Sequence, residues 1–136
     1  MPALLLAGCG VQDAAAVSRV QRELRHEVQG IVDDAQAQTA DLVAPTAAQL
    51  AGAVEQRIPP EPGGRRFAPP ASAAGTAAEA FAVDGKVDGY GPGNETHVVR
   101  MCVVVTLTVT PRSAHVADTA CPGPVGGSTF VVPFAS

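Results

Sequence analysis

Three cysteines, three histidines and a few carboxylates are the residues of this chain that could do chemistry. Cys9 closes the short apolar run Leu4-Leu5-Leu6-Ala7-Gly8, whereas Cys102 and Cys121 stand near the other end in a C-x18-C spacing. That spacing matches neither the close Cys pairs of zinc sites nor the C-x-x-C of redox centres. Nucleophilic catalysis needs a nucleophile, a base beside it and a group that orients the base. His26, His97 and His115 fall in separate stretches, and no serine sits in a recognisable nucleophile elbow. His115, with Ser113 and Thr108 nearby, reads as a surface strand histidine. The segment Asp84-Gly85-Lys86-Val87-Asp88-Gly89, with Glu95, places acids at positions one, five and twelve and glycine at position six of a calcium loop. Lys86 takes a ligand position there and no helix pattern flanks the segment, so it reads as an ordinary Asp-Gly turn. The glycine-rich stretch 89–94 is not followed by a helix start or by Lys-Ser/Thr, so it does not read as a phosphate cradle. Asn94-Glu95-Thr96 fits a glycosylation sequon, which is taken as chance. No catalytic residue, metal ligand or cofactor is therefore expected.

Leu6-Ala7-Gly8-Cys9 resembles the lipobox of bacterial lipoproteins, over residues 4–9 only. The resemblance implies that Cys9 carries a diacylglyceryl anchor, that residues 1–8 are the remnant of a signal peptide, and that the rest is exported to the extracytoplasmic face of the cell membrane. Met1-Pro2-Ala3 supplies neither the basic start nor the apolar region of about 7–15 residues found in signal peptides, so the expected start lies upstream. With one cysteine acylated, Cys102 and Cys121 remain as a disulfide pair in an oxidising compartment. In the competing reading, residues 4–11 are an apolar N-terminus packed on the domain and Cys9 is a buried thiol.

A chain of 136 residues is one domain's worth, but its apolar content leans on Ala and Val, with four Phe, one Tyr and no Trp. Large core-forming side chains are scarce. The net charge of −4 and the lack of a basic stripe argue against a nucleic-acid partner, and none is expected. No stretch after Cys9 has the roughly 20 apolar residues of a membrane span, so membrane attachment falls to Cys9. Arg19, Arg22 and Arg25 could add about 1 kcal/mol each against anionic headgroups, but Glu23 and Glu27 dilute them and a solvated helix face is the ordinary reading.

Over residues 11–43, Val17, Val20, Leu24, Val28, Ile31, Ala35 and Leu42 recur mostly three or four apart, the period of one helical face. Asp13 is the N-cap expected, and Gly30 is a point where the helix could bend. Residues 46–56 predict a short second helix with Pro45 at its first position, antiparallel to the first if the chain reverses there. Pro and Gly density predicts a flexible linker over residues 58–78, cut first by proteases at Arg65-Arg66. Residues 79–136 predict a small antiparallel β unit, with Asp84-Gly85 as a two-residue hairpin turn. The stretch 96–110 is the strongest strand, and its apolar residues on both faces predict cover on both sides. Residues 113–121 and 128–134 predict its partners.

The fold expected is thus α+β: a lipid-anchored helical arm or hairpin (9–57), a disordered linker (58–78) and a β unit braced by a cross-strand disulfide. A turn centred between Pro111 and Arg112 sets Cys102 directly opposite Cys121, Val104 opposite Thr119, Thr106 opposite Ala117 and Thr108 opposite His115. On the other face the same register sets Leu107 opposite Val116 and Val109 opposite Ala114. The function expected is a binding or accessory role in the bacterial cell envelope, attached to the membrane through Cys9. One alternative is a structural protein whose long helix self-associates or packs on a protein partner. Another is a small hydrolase or metal-binding protein.

Overall fold

The computed structural model describes the backbone of residues 2–90 and 95–135 and the side chains of residues 14–89 and 95–135. The elements run α1 (Pro2–Thr39), α2 (Ala47–Glu55), β1 (Gly64–Phe67), β2 (Thr76–Tyr90), β3 (Glu95–Val109), β4 (Arg112–Asp118) and β5 (Thr129–Val131). The fold is α+β, with both helices on one face of a single sheet.

The periodic stripe of α1 is what the sheet buries: Val20, Leu24, Val28, Ile31, Val32 and Ala35 are all in the core. The helix runs unbroken through Gly30 and places Asp13 in its interior rather than at its start. It ends at Thr39, whose hydroxyl donates to the Ala35 carbonyl. Leu42 and Val43 lie past the end and are exposed. Carbonyls near this terminus are taken up from across the fold, because the Arg112 guanidinium donates to those of Thr39 and Leu42 at 3.0 and 2.9 Å. α2 starts one residue later than expected. Thr46, not Pro45, is its boundary residue, in a capping box: the Thr46 hydroxyl accepts from the Gln49 amide and the Gln49 side chain accepts from the Thr46 amide. Leu50, Ala51, Ala53 and Val54 bury its apolar side, and Gln38 of α1 meets Gln56 and Arg57 past its end.

The sheet has the order β1-β2-β3-β4, and β5 pairs with β3. All pairings are antiparallel except β5 with β3, which is parallel. β2 and β3 form one long ladder from Thr76↔Thr108 to Val87↔His97, so Asp84-Gly85 is the middle of a strand and not a turn. The reason lies on the core face. A Cβ on Gly85 would come within 2.5 Å of Val20 Cγ1, so glycine is there to let α1 approach. The ladder reaches Tyr90, opposite Glu95, and Gly91, Pro92, Gly93 and Asn94 lie outside the described residues.

Residues 58–78 are not one continuous linker. They are largely exposed and irregular, yet β1 arises within them and pairs with β2, Gly64 opposite Val83 and Phe67 opposite Ala80. Arg65-Arg66 therefore sits in a strand, and Arg66 bridges Glu55 and Glu79. Two separate units are not formed either, since α1, α2, β2 and β3 share one hydrophobic core. Phe81, Val83, Val99, Met101, Val103 and Val105 are fully buried at its centre. These residues are all odd-numbered, as one face of paired strands requires. β3 is central in the sheet but covered on one face only. Val98, Arg100, Val104, Thr106 and Thr108 on its other face are half-buried, the pattern of an antiparallel sheet with one open side.

Candidate functional site

The open face of the sheet carries the residues with chemistry to offer. Even-numbered residues of β2 and β3 point there: Ala78, Ala80, Ala82, Asp84 and Lys86 beside Val98, Arg100, Cys102, Val104 and Thr106. Arg65 and Phe67 of β1 continue it on one side, and His115 of β4 continues it on the other.

Cys102 and Cys121 are bonded on this open face, with Cα atoms 5.5 Å apart. The pairing stands, but the register that led to it is corrected. β4 sets Val103 opposite Asp118, Val104 opposite Ala117, Thr106 opposite His115 and Thr108 opposite Ser113. The turn is centred one residue earlier than expected, between Thr110 and Pro111, with Val109 opposite Arg112. Moving the centre by one residue moves every pair by two, which keeps each side chain on its face. Cys102 thus lies level with Thr119, whose amide donates to its carbonyl, and β4 has ended before Cys121. The disulfide is not a rung between strands. It ties the loop after β4 down over the sheet, bringing Pro122 beside Arg65, Phe67, Ala82 and Arg100.

Beyond that loop the chain turns back into β5, and its last residues cross to the core side. Val132 is buried, the Pro133 and Phe134 carbonyls accept from Gln21 and Arg25, and the Asp118 carboxylate accepts from the Phe134 and Ala135 amides. Arg25 is thereby spent on the fold, whereas Arg19 and Arg22 remain exposed.

A cleft of about 410 Å³ lies on the open face between the 61–65 segment and the outward side chains of Asp84, Lys86, Val98 and Arg100. Asp84 and Arg100 face each other across the β2–β3 ladder and form a two-pronged ion pair, Nε to Oδ1 at 2.8 Å and the second guanidinium nitrogen to Oδ2 at 2.9 Å. The hydrogen bond to Asp84 pushes the guanidinium further from deprotonation, against the opposing effect of burial. Asp84 and Asp88, read in the sequence as positions of a calcium-like loop, are engaged otherwise: Asp88 accepts from the Thr96 hydroxyl at 2.8 Å. Arg65 is held only loosely, 3.8 Å from Glu61 with both side chains largely exposed. Lys86 is exposed and has no hydrogen-bond or ion-pair partner among the described residues.

The histidines stay on three elements. His26 is exposed on α1, His97 is half-buried at the start of β3 with its ring centroid 5.2 Å from that of Phe130, and His115 is exposed on β4. Among the described residues no three His, Cys, Asp or Glu side chains converge to hold a metal, and no helix is long and apolar enough to cross a membrane. Cys9 falls within α1, and its side chain, like those of Leu4, Leu5 and Leu6, lies outside the described residues.

Sequence reasoning missed the cleft because it took Asp84-Gly85 as a turn. Its signal was present in the symmetry about the glycine-rich stretch 89–94 of the sequence: a long ladder centred there sets Asp84 opposite Arg100, opposite charges in register.

Comparisons with protein families, curated proteins and solved structures return no match for this chain.

Proposed function

We propose that this chain is an exported lipoprotein, held at the extracytoplasmic face of a bacterial membrane through Cys9, with a binding or accessory role served by the open sheet face. The observation that carries the reading is Leu6-Ala7-Gly8-Cys9, the residues that resemble a lipobox. The Cys102–Cys121 bond supports it, since structural disulfides belong to oxidising compartments. In this reading α1 is also a spacer. Among the described residues the first to pack against the core is Ala16, seven residues and about 10 Å of helix beyond Cys9. The stripe of α1 is already buried against its own sheet, so self-association through that stripe would compete with folding.

The test is lipid labelling. The protein expressed from its own gene in a bacterial host fed an alkyne-tagged palmitate should incorporate label and fractionate with membranes. Cys9→Ser should lose both. Label that persists in Cys9→Ser, or an unlabelled wild-type protein in the soluble fraction, would overturn the proposal.

A further inference from the structure

We infer that the cleft between the 61–65 segment and the Asp84–Arg100 pair is a binding site for a small organic monocarboxylate with a compact apolar body. The inference deepens the binding role proposed above and rests on it. Its volume of about 410 Å³ falls near the small end of the range of about 300–1,000 Å³ typical of small-molecule pockets. Small-molecule sites combine a largely apolar lining with a few placed polar groups, and this cleft has both. Pro62, Gly63, Gly85 and Val98 supply surface without charge.

The charges decide the ligand class. Arg100 is fully engaged by Asp84 through two short hydrogen bonds, so that pair is a rigid, internally neutral wall. Of the remaining charges, Arg65 holds Glu61 only at 3.8 Å, and Lys86 holds nothing among the described residues. The charged side chains that line the cleft, Glu61, Arg65, Asp84, Lys86 and Arg100, therefore sum to one positive charge, and among the described residues it is Lys86 that has no partner. A monoanion restores neutrality, while a dianion would leave an excess negative charge beside Asp84 and Glu61. Lys86 is mid-strand on β2, and its partner across the ladder is Val98. The ammonium and an apolar surface are thus adjacent, an arrangement that suits a carboxylate attached to a hydrocarbon or ring. Arg65, free to swing from Glu61, closes on the same carboxylate from the β1 side.

Benzoate is the probe, with benzamide as the neutral analogue of the same shape and phenyl phosphate as the dianion. The folded, disulfide-intact chain is titrated and the amide resonances of Gly63, Gly64, Gly85 and Lys86 are followed by NMR. Benzoate should give saturable shifts at these amides below about 10 mM and bind about tenfold more tightly than benzamide, a difference of about 1.4 kcal/mol. Phenyl phosphate should bind no better than benzoate. Lys86→Met should bring benzoate down to the benzamide level while leaving the thermal melt unchanged, since the Lys86 side chain is exposed and bonds to none of the described residues. Lys86→Arg should keep the preference. Arg65→Gln offers a second, independent variant and should weaken benzoate in the same sense. Equal binding of benzoate and benzamide, tighter binding of phenyl phosphate, no saturation, or a preference that survives Lys86→Met would each overturn the inference. Lipid labelling uses no ligand and this titration uses no membrane, so the anchoring and the site can fail separately.

Discussion

Replacing Gly85 by alanine should destabilise the protein through a single collision, and a second substitution should relieve it. The added Cβ would sit 2.5 Å from Val20 Cγ1 and 3.6 Å from Leu24 Cδ2. Carbon atoms pack at about 3.5–4.0 Å, so the first contact is short by about 1 Å. Val20 is buried, and a β-branched side chain in a helix has essentially one χ1 rotamer, so its methyl group cannot swing aside and α1 itself must lift. Forcing an extra methyl group into a packed core costs about 1–3 kcal/mol. Alanine returns about 0.4–1 kcal/mol by restricting the unfolded chain. The net loss expected is about 1–2 kcal/mol, read from urea unfolding followed by far-ultraviolet circular dichroism with an unchanged slope. Val20→Ala alone removes buried methyl groups and should cost about 1–2 kcal/mol. In the double variant the new methyl group occupies space that the valine vacated. Its loss should fall short of the sum of the singles by about 1 kcal/mol, the scale of coupling between touching residues. Strict additivity would refute the docking of α1 on the middle of β2.

Reducing the Cys102–Cys121 bond, or replacing both residues by serine, should lower stability by about 3 kcal/mol on the chain-entropy account of a loop of this length, and should raise protease cleavage in the 119–128 loop before any other segment. Gly30→Ala and Gly52→Ala should each raise stability by about 0.5–1 kcal/mol, because both glycines are inside helices and a Cβ at either meets nothing within 4 Å; a melting temperature that falls would show otherwise. Burial raises the Glu79 carboxyl above its ordinary value, with Arg66 opposing. The folded state then holds its proton more tightly than the unfolded state, so this residue's contribution to stability falls as pH rises from the ordinary carboxyl value to the raised one. Glu79→Gln should flatten the slope of melting temperature against pH in that window, and an unchanged slope would remove Glu79 as its source. Arg112→Ala should cost about 1–2 kcal/mol by stripping the donors from the carbonyls of Thr39 and Leu42, measurable as accelerated amide exchange in the last turn of α1.

Local pattern alone determined the helices, the strongest strand and the disulfide partners. The apolar period of Val17 through Ala35 fixes α1 because only a helix places those residues on one face. The run 96–110 fixes β3 because its β-branched density suits a pleated surface. The pairing of Cys102 with Cys121 was legible because both fall in the β region at a separation that a hairpin about Pro111 brings together, even with the centre of that turn one residue out. Wherever a residue's role depended on what lay across from it, the tertiary structure decided. Gly85 reads as a turn until Val20 is seen pressing on it, because nothing in the sequence near β2 announces a helical residue 65 positions earlier. β1 hides in a Pro- and Gly-rich stretch, because a four-residue edge strand takes its order from the ladder it joins rather than from its own composition. The register of β4 turned on whether Pro111 stood first or second in its turn, a one-residue choice that moved every pair by two and took Cys121 out of the strand. The open face and its cleft followed from these decisions, since only an unbroken β2 sets Asp84 opposite Arg100 and turns Lys86 to the same face.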